Sequence, residues 1–380
     1  MSRRLKVLFI PAWYPSEDNP VNGLFVREHA KAVSLYDDVV VLYCQLARAQ
    51  IKGLYELSEA MEEGIRTIRV RYRRSPIPKT TYFIYLWSVI GAFRKLVKEG
   101  FKPDVIHAHV FTAGVPAVIL GKLFHIPVVI TEQFTGFPRR ILSWLDVMKA
   151  KFAMERADLI LPVSDDLRKQ IEGYGIHGRF QIVPNVVNTD QFYPSPSGRG
   201  RNSKRKRLLV VALLSPKKGV PYLLRALHKL QGKRGDFRLD IVGDGPNRTE
   251  YEQMVAELGL SDRVKFHGLK SKPEVAEFMR RCDFFVLPSL FETFGAVLVE
   301  ALACGKPVIA TNIGGPNEIV TEEVGRLVPP KDADALTEAI DCMLDRYDMY
   351  SSDEIAAYAK RRFSYEAVGR QLDEVYRWVV

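Results

Sequence analysis

Short runs rich in Val, Ile and Leu alternate with longer helical patterns along almost the whole chain of 380 residues. We interpret the runs as buried strands, because a strand covered on both faces is apolar throughout. They are KVLFIPA, DVVVLYC, DVIHAH, PVVIT and DLILPVS in the first half, and RLLVVALL, FRLDIVG, VKFHG, DFFVLP, PVIAT and GRLVP in the second. Strands that alternate with helices predict an α/β protein with parallel sheets and helices on both faces.

Two stretches, one starting at Asp104 and one at Asp283, share the plan Asp, apolar strand, polar loop, Gly, apolar helix, Pro, strand, Thr. We therefore predict two doubly wound domains, residues 1–190 and 191–363, whose sheets face a central cleft. The C-terminal helix, residues 364–380, is expected to pack back on the first domain. The stretch Pro194 to Arg207, rich in Pro, Gly, Ser and charge, is predicted to be a surface loop near the junction.

The segment FETFGAVLVE contains two glutamates, Glu292 and Glu300, in apolar surroundings with no Lys or Arg between them. Ionised carboxylates are rarely buried without partners, so we expect both to face a cleft. Glu292 is predicted in a loop after a strand, and Glu300 in the second turn of a helix that starts near Gly295. Free N–H groups from Phe294 to Val297 suit a phosphate, and Glu300 suits the paired hydroxyls of a ribose.

Composition excludes several other classes of protein. The longest apolar stretch, Tyr82 to Phe93, is about a dozen residues, short of the roughly 18 to 20 that a membrane span needs. The apolar segment after Met1 is too short for a secretory signal, so we expect a cytoplasmic protein. The four cysteines are scattered, which disfavours disulfides and structural zinc.

The net charge of +10 is concentrated, since Gly64 to Lys98 contains nine Lys or Arg and no Asp or Glu. Aromatic residues interleave with these charges, a combination typical of contact with an anionic membrane. The alternative is a solvated strand, IRTIRVRYRR, followed by an amphipathic helix. Nucleic acid is less well supported, and we do not predict it as a partner.

From SLFETFGAVLVEALACGKPVIATNIGGPNEIV to GRLVPPKDADAL the sequence resembles the retaining glycosyltransferases of family 4, which have the two-domain GT-B fold. The segments IVGDGP, VPNVVNTDQF, IHAH and FIPAWYPSEDNPVNGLFVREHAKAV are similar to further motifs of that family, particularly of members that build bacterial and archaeal cell-surface glycans. The resemblance covers nearly the whole chain. It implies that the first domain binds the acceptor and the second binds a nucleotide sugar.

The resemblance also implies roles for individual residues. Glu292 would lie beside the donor sugar, Glu300 would bind the ribose, and Lys218 in SPKKGV would hold the diphosphate. The remaining donor contacts are expected from Gly23, Gly243, Phe294, Gly295, Ala296 and Val297. The family usually has an Arg shortly before the Lys, but Leu213 stands in that place. Either Lys217 or another basic residue substitutes, or the enzyme neutralises its leaving group less completely. His107 and His109 are expected to face opposite sides of the sheet, with His109 contacting donor sugar and acceptor.

We predict a metal-independent enzyme without a cofactor that transfers a sugar, with retention, from a UDP- or GDP-sugar to a lipid-linked or cell-surface glycan precursor. The Asp332-Ala-Asp334 pattern resembles a manganese motif, but Asp is also the expected N-cap of the helix that follows. Two alternatives remain open. They are a nucleotide-sugar 2-epimerase of the same fold and a catalytically silent nucleotide-sugar binder.

Overall fold

The computed structural model describes residues 3–17, 19, 21–77, 80–195 and 205–380. Most of the predicted loop from Pro194 to Arg207 lies outside the described residues. The chain divides into an N-terminal unit, residues 1–186 with 365–380, and a C-terminal unit, residues 187–364. Each unit has its own sheet.

The strands of the N-terminal unit are β1 (Lys6–Pro11), β2 (Asp38–Leu46), β3 (Tyr55–Glu62), β4 (Ile65–Tyr72), β5 (Val105–His109), β6 (Val128–Glu132) and β7 (Leu159–Pro162). Its helices are α1 (Leu24–Ser34), α2 (Thr81–Lys98), α3 (Phe111–Phe124), α4 (Trp144–Met154), α5 (Asp165–Glu172) and α13 (Tyr365–Val379). The strand order is β3-β4-β2-β1-β5-β6-β7, with only β3 antiparallel to its neighbour.

Helices cover both faces of this sheet. Along the sheet, α2, α3 and α4 each connect one strand to the next in one direction, and α1 connects β1 to β2 in the opposite direction. Because such crossovers are right-handed, α2, α3 and α4 lie on one face of the sheet and α1 lies on the other. Helix α13 packs on α1 so closely that a Cβ at Gly369 would lie 2.3 Å from the carbonyl oxygen of Ala32. The C-terminal helix thus belongs to the N-terminal unit.

The strands of the C-terminal unit are β8 (Lys206–Val211), β9 (Phe237–Val242), β10 (Val264–Phe266), β11 (Phe284–Leu287), β12 (Val308–Thr311) and β13 (Gly325–Val328). Its helices are α6 (Val220–Gln231), α7 (Arg248–Glu257), α8 (Lys272–Arg281), α9 (Ala296–Ala303), α10 (Pro316–Ile319), α11 (Ala333–Arg346) and α12 (Ser352–Phe363), with 3₁₀ turns at Pro216–Lys218 and Tyr347–Met349. The strand order is β10-β9-β8-β11-β12-β13. All the strands expected from the apolar runs are present.

The strand that we considered as a solvated alternative, β4, lies between β3 and β2 and is half-buried. Its arginines do not form a free basic face, because glutamates of β3 pair with them. Arg66 contacts Glu59 at 2.6 Å, and Arg69 contacts Glu62 at 2.6 Å. Arg66 and Arg69 thus pair with an acidic strand that the sequence interpretation did not recognise, while the membrane contact of the whole segment stays a prediction.

Candidate functional site

The parallel pair β8 and β11 places two loops side by side at the carboxyl edge of the C-terminal sheet. The backbone N–H of Leu290 donates to the carbonyl oxygen of Lys217 at 2.7 Å. Gly219 has a φ of 65° and lies so close to the backbone of Pro288 that a Cβ at this position would be 1.9 Å from the Pro288 carbonyl oxygen. Only glycine fits there, because the contact is with rigid backbone.

This contact brings the predicted site residues Lys218 and Glu292 together. The ammonium Nζ of Lys218 donates to Oε2 of Glu292 at 2.6 Å, and both side chains are mostly buried. Ser289 Oγ donates to the same oxygen at 3.3 Å. A cation and an anion are therefore fixed at the end of β11, where ligands of such sheets bind.

Glu300 lies in the second turn of α9, as predicted, and is buried. Its Oε1 accepts from the ammonium of Lys272, the first residue of α8, which also lies 5.5 Å from the centre of the Phe192 ring. Its Oε2 is buried and has no hydrogen-bond partner among the described residues. One carboxylate oxygen is thus satisfied, and the other can accept from a ligand.

Lys272 was missed by the sequence analysis. It precedes Glu300 by 28 positions and belongs to a different helix. The only local signal in its segment, Ser271 followed by Glu274, is a capping box that indicates the start of α8. Nothing in that pattern points toward Glu300.

The start of α9 is a tight turn with a glycine at the N-cap. Gly295 is its N-cap with a φ of 93°, and Phe294, Ala296 and Val297 lie beside it at the predicted place. A Cβ at Gly315 would lie 2.4 Å from the Cα of Phe294, so the glycine loop after β12 packs directly against this turn. The first N–H groups of a helix lack intrahelical acceptors and carry the positive end of its dipole.

Gly243 follows β9 with a φ of 127°. Its N–H donates to the carbonyl of Gly268 at 2.9 Å, and a Cβ would lie 1.9 Å from the carbonyl oxygen of Ala212. Packing against the β8 loop is a sufficient reason for glycine here, whatever the loop binds. In that same loop Leu213, which stands in place of the family's Arg, is exposed.

Gly23 and His109 belong to the N-terminal unit. Gly23 caps α1 with a φ of 71°, and a Cβ would lie 2.3 Å from the carbonyl oxygen of Trp13. His109 ends β5, and its carbonyl accepts from the N–H of Ala12 at 3.1 Å. The loop after β1 thus contacts both residues.

His107 and His109 face the same side of the sheet, and the expectation that they point to opposite sides is wrong. Their rings stack with centroids 4.3 Å apart, since residues two apart in a strand share a face. His29 adds a third ring, 5.6 Å from His109. His109 is fully buried, and neither of its ring nitrogens has a hydrogen-bond partner among the described residues. Burial lowers the pKa of all three imidazoles, to about 4 for His29.

A further buried acid, Glu132, holds the turn that follows His109. Its carboxylate accepts from the backbone N–H groups of Phe111, Gln133 and Phe134 at 3.0, 2.8 and 2.8 Å. Burial raises the pKa of this carboxyl to about 7, although those three donors lower it. Val110, between His109 and α3, has a φ of 74°, which is strained for a β-branched residue. Glu132 therefore stabilises the strained turn.

The Asp332-Ala-Asp334 pattern forms a helix cap, as expected. Asp332 accepts from the N–H groups of Asp334 and Ala335 at 3.0 and 2.9 Å, and Asp334 pairs with Lys229. Within the described ranges, no group of three or more His, Cys, Asp or Glu side chains has an arrangement that could hold a metal ion.

Comparison with known proteins places the chain in a family. The family model for glycosyl transferases group 1 matches residues 195–362, and that for glycosyltransferase family 4 matches residues 37–191. A GDP-mannose-dependent alpha-(1-6)-phosphatidylinositol monomannoside mannosyltransferase from Mycolicibacterium smegmatis is 32% identical over 77% of this chain and 78% of its own length. The chain belongs to the family 4 glycosyltransferases.

Solved glycosyltransferase structures share its fold. A sucrose-phosphate synthase from Thermosynechococcus elongatus matches with a TM-score of 0.79 and 25% identity over 99% of both chains. Anabaena HepE in complex with UDP-glucose matches with a TM-score of 0.75 and 22% identity over 99% of this chain and 100% of that chain. This glycosyltransferase therefore has two Rossmann-like domains of the GT-B type.

Proposed function

We propose that the enzyme transfers a sugar from a nucleoside diphosphate sugar to an acceptor hydroxyl with retention of anomeric configuration and without a metal ion. The observation that carries this proposal is the buried, unpartnered Oε2 of Glu300. A buried acceptor without a donor is costly, and the hydroxyls of a ribose supply donors of the right kind. Lys218 and the first N–H groups of α9 supply the positive charge that a diphosphate requires.

In the proposed mechanism the acceptor hydroxyl attacks the anomeric carbon on the face from which the diphosphate departs. The bond from that carbon to the phosphate oxygen breaks, and the departing phosphate takes the proton of the acceptor hydroxyl. Lys218 and the start of α9 stabilise the negative charge that develops on the diphosphate. Glu292, which Lys218 and Ser289 hold in place, orients the donor sugar. His109 is proposed to contact donor sugar and acceptor.

We propose a UDP- or GDP-sugar as donor and a lipid-linked or cell-surface glycan precursor as acceptor, at the cytoplasmic face of a membrane. The mannosyltransferase relative named above uses GDP-mannose on a phosphatidylinositol mannoside, and the HepE structure contains UDP-glucose. Binding measurements over a panel of UDP- and GDP-sugars would identify the donor. Product analysis with and without acceptor then separates transfer from 2-epimerisation, which would release a free sugar in both cases.

The ribose contact predicts that Glu300→Gln weakens donor binding at least tenfold. Two hydrogen bonds to a carboxylate contribute roughly 1.5 to 3 kcal/mol each, and 1.4 kcal/mol is a factor of ten. Calorimetry with the best donor and its 2′-deoxy analogue measures the effect. The exposed Glu322→Gln in the same unit serves as the control. Equal affinity of the wild type for ribose and deoxyribose donors would show that Glu300 does not bind the sugar of the nucleotide.

The metal-independent mechanism predicts that turnover persists in EDTA. Lys218→Ala should reduce kcat strongly in EDTA and in manganese alike, because the leaving diphosphate loses its main cation. Initial rates under the two conditions provide the measurement. Activity that disappears in EDTA and returns with manganese would contradict the proposal.

A further inference from the structure

Helix α4 is apolar on its outward face. It buries Ala150, Ala153 and Met154, and a Cβ at Gly114 of α3 would lie 3.0 Å from the Cβ of Ala153. On the other side Trp144 is 73% exposed and Met148 is 57% exposed, one helical turn apart. The outward face of a helix on a soluble domain is ordinarily polar, so this stripe suggests a partner.

Helix α2, on the same face of the sheet, also exposes two aromatic side chains. Phe83 is 69% exposed and Trp87 is 57% exposed, again one turn apart. The ammonium of Lys149 on α4 lies 5.7 Å from the centre of the Tyr82 ring on α2, so the two helices are neighbours. Both lie on the sheet face that α3 also covers. We define the α2–α4 surface by its exposed apolar residues, which are Phe83, Trp87, Trp144, Leu145, Met148 and Phe152.

The surroundings of this surface are strongly basic. Residues 80–99, 111–125 and 139–156 contain nine Lys or Arg but only three acidic residues. Those acids already have partners, since Glu99 pairs with Arg66, Asp146 caps α4, and Glu155 accepts from the N–H of His177. The segments that form the helices on this face of the sheet therefore carry a net positive charge.

A cavity of about 370 Å³ combines both properties at one end of α2. Its lining residues are Tyr55, Trp87, Ile90, Gly91, Arg94, Lys95 and Lys98. Within the described part of the chain, Arg94 and Lys98 form no ion pair, whereas Lys95 lies 3.6 Å from Glu99. Unpaired cations beside an exposed indole match the phosphate and the upper acyl region of a phospholipid.

We propose that the α2–α4 surface docks on an anionic phospholipid bilayer. The exposed rings would enter the boundary between headgroups and acyl chains, and the cations would contact lipid phosphates. A second copy of the chain is the weaker candidate, because it would oppose two positively charged surfaces. The inference does not depend on the proposed reaction, since binding to a bilayer requires neither donor nor acceptor.

Cosedimentation with vesicles tests the proposal. We expect binding to equimolar phosphatidylglycerol and phosphatidylcholine, little binding to phosphatidylcholine alone, and release at high salt. The double variant Trp144→Ser/Met148→Ser should bind at least about tenfold more weakly, because it removes two exposed apolar side chains that the bilayer would bury. Arg94→Ser/Lys98→Ser should weaken binding only to the vesicles that contain phosphatidylglycerol.

The matched control is Trp378→Ser/Met349→Ser, which changes the same two residue types at exposed positions that are not part of the α2–α4 surface and are 60% and 78% exposed. It should bind vesicles like the wild type. An equal loss in the control pair, equal binding to both kinds of vesicle, or no binding at low salt would overturn the proposal. Self-association in analytical ultracentrifugation that Trp144→Ser/Met148→Ser abolishes would assign the surface to a second copy instead.

A measurement on the wild type guards against variants that fail to fold. Brominated phosphatidylglycerol should quench tryptophan fluorescence if Trp87 and Trp144 enter the bilayer. Absence of quenching in protein that cosediments would contradict the inserted geometry. Nucleotide-sugar binding in the absence of vesicles should be the same for the wild type and the α4 double variant. If the protein binds vesicles but does not bind nucleotide sugars, the result would contradict the proposed reaction and would not affect the proposed membrane surface.

Discussion

The two site carboxylates each have a lysine partner that is distant in the chain. Lys218 precedes Glu292 by 74 positions, and Lys272 precedes Glu300 by 28. Removing one member of a buried ion pair leaves the other charge uncompensated, which costs more than the pair itself contributes. The two lysines therefore balance the charge of both carboxylates and orient them, whether or not they also contact the donor.

We predict that Lys272→Met weakens donor binding about tenfold and that its effect is not additive with that of Glu300→Gln. Side chains in direct contact show coupling of about 0.5 to 3 kcal/mol in a double-mutant cycle. Calorimetry of the wild type, both single variants and the double variant measures this coupling. Lys270→Met is the matched control, because Lys270 pairs with Glu274 at 3.1 Å and not with Glu300. Effects that simply add would remove Lys272 from the site.

At the scale of elements, the hairpin of β3 and β4 depends on charge pairs across its strands. Arg69 Nε and Nη2 donate to the two carboxylate oxygens of Glu62 at 2.6 and 2.7 Å, and Nη2 also donates to the carbonyl of Pro15 at 2.6 Å. Its guanidinium lies 5.6 Å from the centre of the Tyr14 ring. Arg69 thus joins the hairpin to the loop after β1, and its role in this structure is structural.

Arg69→Ser is therefore expected to destabilise the N-terminal unit by about 2 kcal/mol, the scale of charge-assisted hydrogen bonds. For a unit of this size the Tm should fall by about 4 to 8 °C. Differential scanning calorimetry measures the change, with Arg73→Ser as the control, since the Arg73 side chain makes no ion pair among the described residues. A Tm that changes equally in both variants would show that the Glu62 pair contributes little.

At the scale of the whole molecule, the buried histidines are contacted by elements that lie far apart in the chain. His107 Nδ1 lies 2.6 Å from the Tyr376 hydroxyl of α13, and its Nε2 lies 2.7 Å from Thr131 Oγ1 of β6. His29 Nε2 on α1 lies 3.2 Å from the carbonyl oxygen of Pro184. Burial favours the neutral imidazoles, so protonation should disrupt the unit that α13 completes.

We predict that the N-terminal unit loses stability as pH falls from about 6.5 toward 4. A base whose pKa is lowered on folding binds protons more readily in the unfolded chain. Its contribution to the free energy of unfolding is therefore present above pH 6.5 and is lost as the pH falls below that value. Each histidine contributes a slope of about 1.4 kcal/mol per pH unit. Glu132 opposes this trend, because its pKa is raised on folding. Its contribution to the free energy of unfolding is complete below about pH 4.5 and is lost as the pH rises through about 7.

Urea unfolding between pH 5 and 7 measures the slope. His29→Gln should reduce the slope of the free energy of unfolding against pH by the contribution of one histidine, about 1.4 kcal/mol per pH unit. His177→Gln serves as the control, because His177 is exposed. A slope unchanged by His29→Gln would mean that this imidazole titrates alike in the folded and unfolded chain.

The sequence by itself determined the α/β class, the apolar strands of both units and the position of the carboxylate motif. Local signals were sufficient there, because apolar runs and glycines at helix starts act over a few residues. The first residues of the two similar stretches make equivalent contacts in the two units. Asp104 accepts from the N–H of Lys6 at 2.8 Å, and Asp283 accepts from the N–H of Arg207 at 2.7 Å, so each bridges its strand to a neighbour.

Only the tertiary structure decided which charges pair. The absence of a basic residue between Glu292 and Glu300 suggested unpaired acids, yet Lys218 from the 3₁₀ turn after β8 and Lys272 from α8 reach them. The arginines of β4 suggested a free basic face, yet glutamates of β3 pair with several of them. The exposed apolar face of α4 was not predicted from the sequence. The physical reason is that ion pairs and exposed faces depend on which elements the fold makes neighbours, and sequence patterns of a few residues carry no information about that.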